Sequence, residues 1–211
     1  MGCPIFKSKY LPAPPDVVKK KIVLVGLESS GKSTILNYFK FKQFIPEVQP
    51  TLGVSIETLL HENLELLIFD ISGKVRTLWS HYYENLDALI MVIDVGSPNS
   101  PESFSEIKEE MQKLSEELLK IRNYKGFVMV LWNKIDLLGK QEFEEKFSSL
   151  ADDCGLNEII DLDVISQKVS GRTGEGLDEA FKKLVDFLKV SEKGGGGLNA
   201  SDMSLLSSNN K

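Results

Sequence analysis

Residues 26–33 read GLESSGKS, that is Gly26-Leu27-Glu28-Ser29-Ser30-Gly31-Lys32-Ser33. The octapeptide matches G-x-x-x-x-G-K-[ST] without a gap, and its setting matters as much as its letters. Residues 20–25, KKIVLV, are a short apolar β-branched run that reads as a buried strand. A helix is predicted from Gly31 to about Lys42. A glycine-rich turn between a strand and a helix suits phosphate. Gly26 and Gly31 permit a backbone that aims successive N–H groups inward, and the helix N-terminus adds its partial positive charge. Lys32 is expected to reach the outer phosphates and the Ser33 hydroxyl to ligate Mg²⁺. Leu27, Glu28, Ser29, Ser30 and Thr34 complete the candidate phosphate-binding set.

Three further stretches extend the reading. Residues 133–136, NKID, follow the apolar run GFVMVLW at the edge of a sheet where ligands bind. Asp136 can accept two hydrogen bonds from guanine, through N1–H and the exocyclic amine. Adenine lacks that donor pair, so the acid selects GTP over ATP. Asn133 can tie this loop to the phosphate loop, and the Lys134 stem can cover the base plane. Ser170-Gly171-Arg172, just before the last predicted helix, can offer backbone amides to the guanine O6. In QPTLGVSIETL, Thr51 can close over Mg²⁺. In FDISGKVR, Asp70 is expected to hold Mg²⁺ through a water and the Gly73 amide to touch the γ-phosphate. Loss of that phosphate frees both loops, which is a switch.

The rest of the chain sets the frame. Its 211 residues suffice for one domain with a core. A content of 42% hydrophobic and 27% charged residues is that of an ordinary globular protein. No apolar run is long enough for a transmembrane helix, and none at the start suggests a secretory signal. Cys3 and Cys154 give neither a disulfide framework nor a metal spacing, which fits a reducing, cytoplasmic compartment. A net charge of −6 argues against nucleic acid. Yet Lys7, Lys9, Lys19, Lys20 and Lys21 face only Asp16 in the first 21 residues, so the start can either solubilise a strand or meet an anionic membrane.

Strands are expected at 53–60, 64–70, 87–93, 126–132 and 162–167. Helices are expected at 141–151 and 177–190, with another on the stripe Phe104, Ile107, Met111, Leu114, Leu118 and Ile121, opened by Pro101. His61 reads as a turn residue. Strands alternating with helices predict an α/β fold, a mostly parallel six-stranded sheet flanked by helices. Three regions follow: a proline-rich arm at 1–18, a nucleotide-binding domain at 19–191, and a flexible Gly/Ser/Asn-rich tail at 192–211.

Over about residues 20–190 the chain resembles the Arf/Arl family of small GTPases, through GLESSGKST, PTLGVSIETL, FDISG, RTLWSHYYEN, NKIDL and GEGLDEAF. The resemblance implies the P-loop small-GTPase fold and a GDP/GTP switch in membrane traffic or in ciliary and cytoskeletal organisation. It implies GTP or GDP with Mg²⁺, effectors that bind the GTP state, an exchange factor and a GAP, and a monomer at a peripheral membrane: Golgi, plasma or ciliary. The apolar triad read by the family's effectors falls on Val54, Phe69 and Tyr82; ordinary packing is the other reading of these side chains.

Two departures stand out. Ser72 precedes Gly73 and Lys74 follows it, where the family has a second glycine and then a glutamine, and the Arg-x-Leu-Trp segment arrives about two residues early. Lysine cannot accept a hydrogen bond from an attacking water, so slow GTP hydrolysis is expected. The N-terminus lacks the family's amphipathic helix and starts Met1-Gly2-Cys3, which suggests myristoylation of Gly2 and palmitoylation of Cys3, although Phe6 stands where the myristoylation pattern wants serine or threonine. A second reading is a non-hydrolysing GTP-binding scaffold or an exchange factor for another GTPase. A P-loop kinase is third, since no arginine-rich lid accompanies NKID.

Overall fold

A computed structural model describes residues 17–96, 104–121, 127–139 and 163–193. Gly2, Cys3, most of the arm, Pro101, the helix expected at 141–151, Cys154 and nearly all of the tail lie outside the described residues. The chain runs β1 (Val18–Val25), α1 (Lys32–Phe41), β2 (Val54–His61), β3 (Leu64–Ile71), a 3-10 helix (Arg76–Tyr82), β4 (Ala88–Asp94), α2 (Phe104–Lys120), β5 (Phe127–Asn133), a short 3-10 turn (Ile135–Leu137), β6 (Asp163–Lys168) and α3 (Leu177–Lys193). The sheet order is β2-β3-β1-β4-β5-β6. Only β2, hairpinned to β3, runs antiparallel.

The central strands are buried on both faces, and their side chains divide by the two-residue period of a strand. Ile22, Leu24, Ile90, Val92, Met129 and Leu131 join one core with α1 and α3. Val23, Val25, Leu89, Met91, Val130 and Trp132 join the other beneath α2. The α2 stripe is core as expected: Ile107, Met111, Leu114 and Leu118 are all buried.

The boundaries differ slightly from the sequence expectation. β1 starts at Val18 because Lys19 and Lys20 are usable strand residues, paired with Glu65 and Asp87. His61 is not a turn residue. It ends β2, and its ring meets the Phe181 ring edge-on at 5.2 Å.

This topology gathers the candidate residues at one edge. The loop after β1 lies where the chain, having gone one way to β3, crosses back to β4. Register does the rest. Leu24 pairs with Asp70, which sets that acid beside the end of β1, and Asp94 pairs with Asn133. Leu118→Ala should lower the unfolding free energy by about 2–5 kcal/mol, read from urea denaturation. A loss below about 1 kcal/mol would place the α2 stripe outside the core.

Candidate nucleotide site

The phosphate loop depends on two glycines. Gly31 has φ +96°, and a Cβ there would stand 2.2 Å from Asn133 Nδ2. Gly26 has φ +145°, and a Cβ would stand 2.2 Å from the Val92 carbonyl oxygen. Only glycine accepts both the conformation and the contact. Lys32 stands at the start of α1, against the phosphate loop. Its ammonium is buried and curls onto its own loop, donating to the carbonyls of Gly26 and Leu27, each at 2.7 Å. A buried cation needs acceptors, and the loop's carbonyls are the nearest.

Ser33, Thr51 and Asp70 converge although they come from three separate segments. Ser33 Oγ donates to Asp70 Oδ2 at 2.5 Å and lies 3.0 Å from Thr51 Oγ1, which donates to the same Oδ2 at 3.2 Å. Asp70 is buried, and among the described residues its Oδ1 has no hydrogen-bond partner. Burial pushes its carboxyl above the usual carboxylate range. The bonds from Ser33 and Thr51 and the charge of Lys32 oppose that shift and are outweighed. Two hydroxyls and a buried carboxylate with one unmatched oxygen are a donor set that fits a small hard dication. They would serve Mg²⁺ in the roles the sequence suggests.

At the base end, one side chain joins three loops. Asn133 Nδ2 donates to the Ser30 carbonyl at 2.7 Å, and Asn133 Oδ1 accepts the Gly171 amide at 2.9 Å. Asp136, on the short 3-10 turn, is oriented by Ser170 Oγ at 2.6 Å. Gly31, Thr34, Asn133, Lys134, Asp136, Gly171 and Arg172 line one cavity, with Phe44 and Leu137. The cavity at the phosphate end, lined by Glu28, Ser29, Lys32, Ser33, Thr51, Gly73 and Lys74, shares Gly31 and Thr34 with it. The two share that part of their walls and together make up a trough of two adjoining cavities. Two of the three amides expected to face a base are already engaged. Ser170 donates to the Glu175 carbonyl at 2.9 Å and Gly171 donates to Asn133, which leaves the Arg172 amide.

Sequence reasoning did not single out Asp94, which pairs with the lining residue Lys134, or Phe44, which lines the base-end cavity. Asp94 is buried at the end of β4, accepts the Gly96 amide at 3.0 Å, and pairs with Lys134 Nζ at 2.6 Å. Lys134 has φ +70°, an uncommon conformation for a side-chain-bearing residue. The ion pair helps to hold that bend and directs the lysine stem. The available signal was one acid closing an otherwise apolar strand. Phe44, an exposed aromatic in the loop after α1, carried no pattern at all.

The remaining candidates flank the phosphate end. Ser72 donates its amide to the Gly53 carbonyl at 2.8 Å, which links the segments after Thr51 and after Asp70. Gly73 lies flat on the phosphate loop, since a Cβ would stand 2.3 Å from the Leu27 carbonyl carbon. Lys74 Nζ pairs with Glu28 Oε1 at 3.0 Å. Val54, Phe69 and Tyr82 are half-buried against the α2-side core, and the Phe69 and Tyr82 rings lie 5.6 Å apart. Packing, one of the two readings of the triad, is thus present for all three side chains. Leu52, Ile56 and Val75 are exposed apolar residues close by in the chain.

Burial penalises the charged form of Asp70, so Asp70→Asn should leave the metal-free protein at least as stable as the wild type. It should also abolish any rise in Tm given by Mg²⁺ with GTP. Differential scanning calorimetry reads both. A Mg²⁺-dependent rise that survives the substitution would remove Asp70 from the metal set.

The ADP-ribosylation factor family matches this chain over residues 15–188. The chain is 33% identical over 172 residues to ADP-ribosylation factor K of Dictyostelium discoideum, covering 80% of this chain and 85% of that protein. It is also similar to the solved structure of the Arl6 BBS3 small GTPase from Trypanosoma brucei with the bound nucleotide analogue GppNp. There the TM-score is 0.67 at 26% identity, covering 82% of this chain and 99% of that one. The six-stranded sheet flanked by helices is the small-GTPase fold, and the chain belongs to the ADP-ribosylation factor family of small GTP-binding proteins.

Proposed function

We propose that this chain is an Arf-like GDP/GTP switch that hydrolyses GTP slowly on its own and acts at a membrane surface, in traffic or ciliary organisation. The observation that carries the reading is the trough of two adjoining cavities. It presents the Asp136 carboxylate at one end and the Ser33, Thr51 and Asp70 oxygens near the other. Asp136 selects guanine, because its carboxylate matches two adjacent donors of that base, and Ser170 holds it in position. The Arg172 amide is the donor left for the base oxygen, and the bent Lys134 covers the base. The loop amides from Gly26 to Thr34 cradle the phosphates.

Ser33, Thr51 and, through a water, Asp70 would hold Mg²⁺, which would supply positive charge against the outer phosphates. A γ-phosphate engages Thr51 and the Gly73 amide together. The Ser72–Gly53 bond makes the two segments move as one, and their release after hydrolysis is the switch. Effectors then read Val54, Phe69 and Tyr82. An exchange factor and a GAP set the timing, and acylated Gly2 and Cys3 hold the protein on the membrane.

Slow turnover follows from Lys74. An ammonium has donors only, so it cannot orient an attacking water as a glutamine does. Single-turnover hydrolysis of bound GTP with Mg²⁺ should run below about 10⁻⁴ s⁻¹, the unaided rate of small GTPases that keep the glutamine. Lys74→Gln should raise it. Turnover at or above that rate in the wild type would show that another residue positions the water. GTP that persists for many hours in both proteins would favour the scaffold reading.

A further inference from the structure

Two opposite charges stand at the end of the trough farthest from the base. Glu28 is the third residue of the phosphate loop, and Lys74 follows the Gly73 that lies flat on that loop. Their charged atoms are 3.0 Å apart, and both side chains are about half exposed, at 53% and 55%. Both line the cavity that takes in Lys32, Ser33 and Thr51. Among the described residues neither side chain has another charged partner. An exposed pair of this kind adds little to the stability of a fold. Its effect falls on whatever charge enters the cavity between them.

Resting on the guanine-nucleotide reading above, we propose that Glu28 and Lys74 form a charge latch that sets the preference between a nucleoside diphosphate and a triphosphate. With Asp136 holding the base, the outermost phosphate is the one that meets the latch. With a diphosphate bound, Lys74 stays on Glu28, as in the structure. A third phosphate carries more negative charge than the carboxylate and draws Lys74 away. Glu28 is then left as an unpaired acid on the phosphate loop, repelling the group that took its partner. Glu28 therefore disfavours the triphosphate in two ways: it must surrender its lysine, and its own charge then opposes the phosphate. Lys74 favours the triphosphate. The position where the family has a glutamine thus becomes a sensor of the terminal phosphate.

The test is the ratio of affinities for GppNp and GDP, with Mg²⁺, by competition against a fluorescent guanine nucleotide. It compares the full chain with Glu28→Gln, Lys74→Gln and the double variant. Each substitution removes a charge and nearly keeps the shape, so GDP binding reports that the variants are folded. Lys74→Gln should shift the ratio towards GDP by about tenfold, and Glu28→Gln towards GppNp by about threefold or more. Lys74→Gln should cost more in the Glu28→Gln background, where the lysine is not withheld. Raising salt from 0.05 M to 0.5 M should shrink both shifts. Ratios within twofold of wild type for both single variants would overturn the latch while leaving the nucleotide reading intact. A wild-type chain that binds neither GDP nor GppNp would overturn that reading and the latch with it.

Discussion

The functional edge depends on the amide of Asn133. Its nitrogen holds the phosphate loop at Ser30 and its oxygen holds the turn before α3 at Gly171. Gly31 lacks a Cβ so that this amide can approach. Three loops that follow three different strands are thereby fixed to one planar group whose donor and acceptor point opposite ways. The base-end cavity borders it, and both cavities are lined by its contact Gly31 and by Thr34. Loss of either bond would leave a buried polar group unmatched, which is more costly than the bond is favourable.

From that fixed frame the phosphate end is made responsive by a charge in an unfavourable place. Asp70 is buried, its carboxyl is pushed upward, and one oxygen has no hydrogen-bond partner among the described residues. Two hydroxyls on different segments answer part of the deficit. A dication would answer the rest and draw Ser33 and Thr51 with it. The backbone bond from Ser72 to Gly53 carries that ordering across to the segment after Asp70. A site satisfied by its own residues would have nothing to report when a phosphate arrives or leaves. In this account the unmet need of Asp70 is what couples ligand to conformation.

Much of this was legible in the sequence, for a physical reason. GLESSGKS and NKID are contiguous, so their chemistry and their backbone geometry are written in the same letters. The α2 stripe follows the helical period and is buried where that period says. What could not be read comes from register and from competition between partners. Asp94 reaches Lys134 because β4 and β5 align Asp94 with Asn133. The Gly171 amide goes to Asn133, an acceptor that sequence order does not show. His61 ends a strand as the partner of Leu64, and its ring meets that of Phe181, far along the chain. The pairing of Lys74 with Glu28 is of the same kind.

The measurement closest to the centre of the account is a calorimetric titration of nucleotide-free protein with GDP and, separately, ATP, in the presence of Mg²⁺. If the trough reads guanine through Asp136, GDP binds and ATP shows no heat at the same concentrations. Equal binding of the two would contradict the assignment of the base end, and with it the reading of the whole edge as a guanine-nucleotide switch.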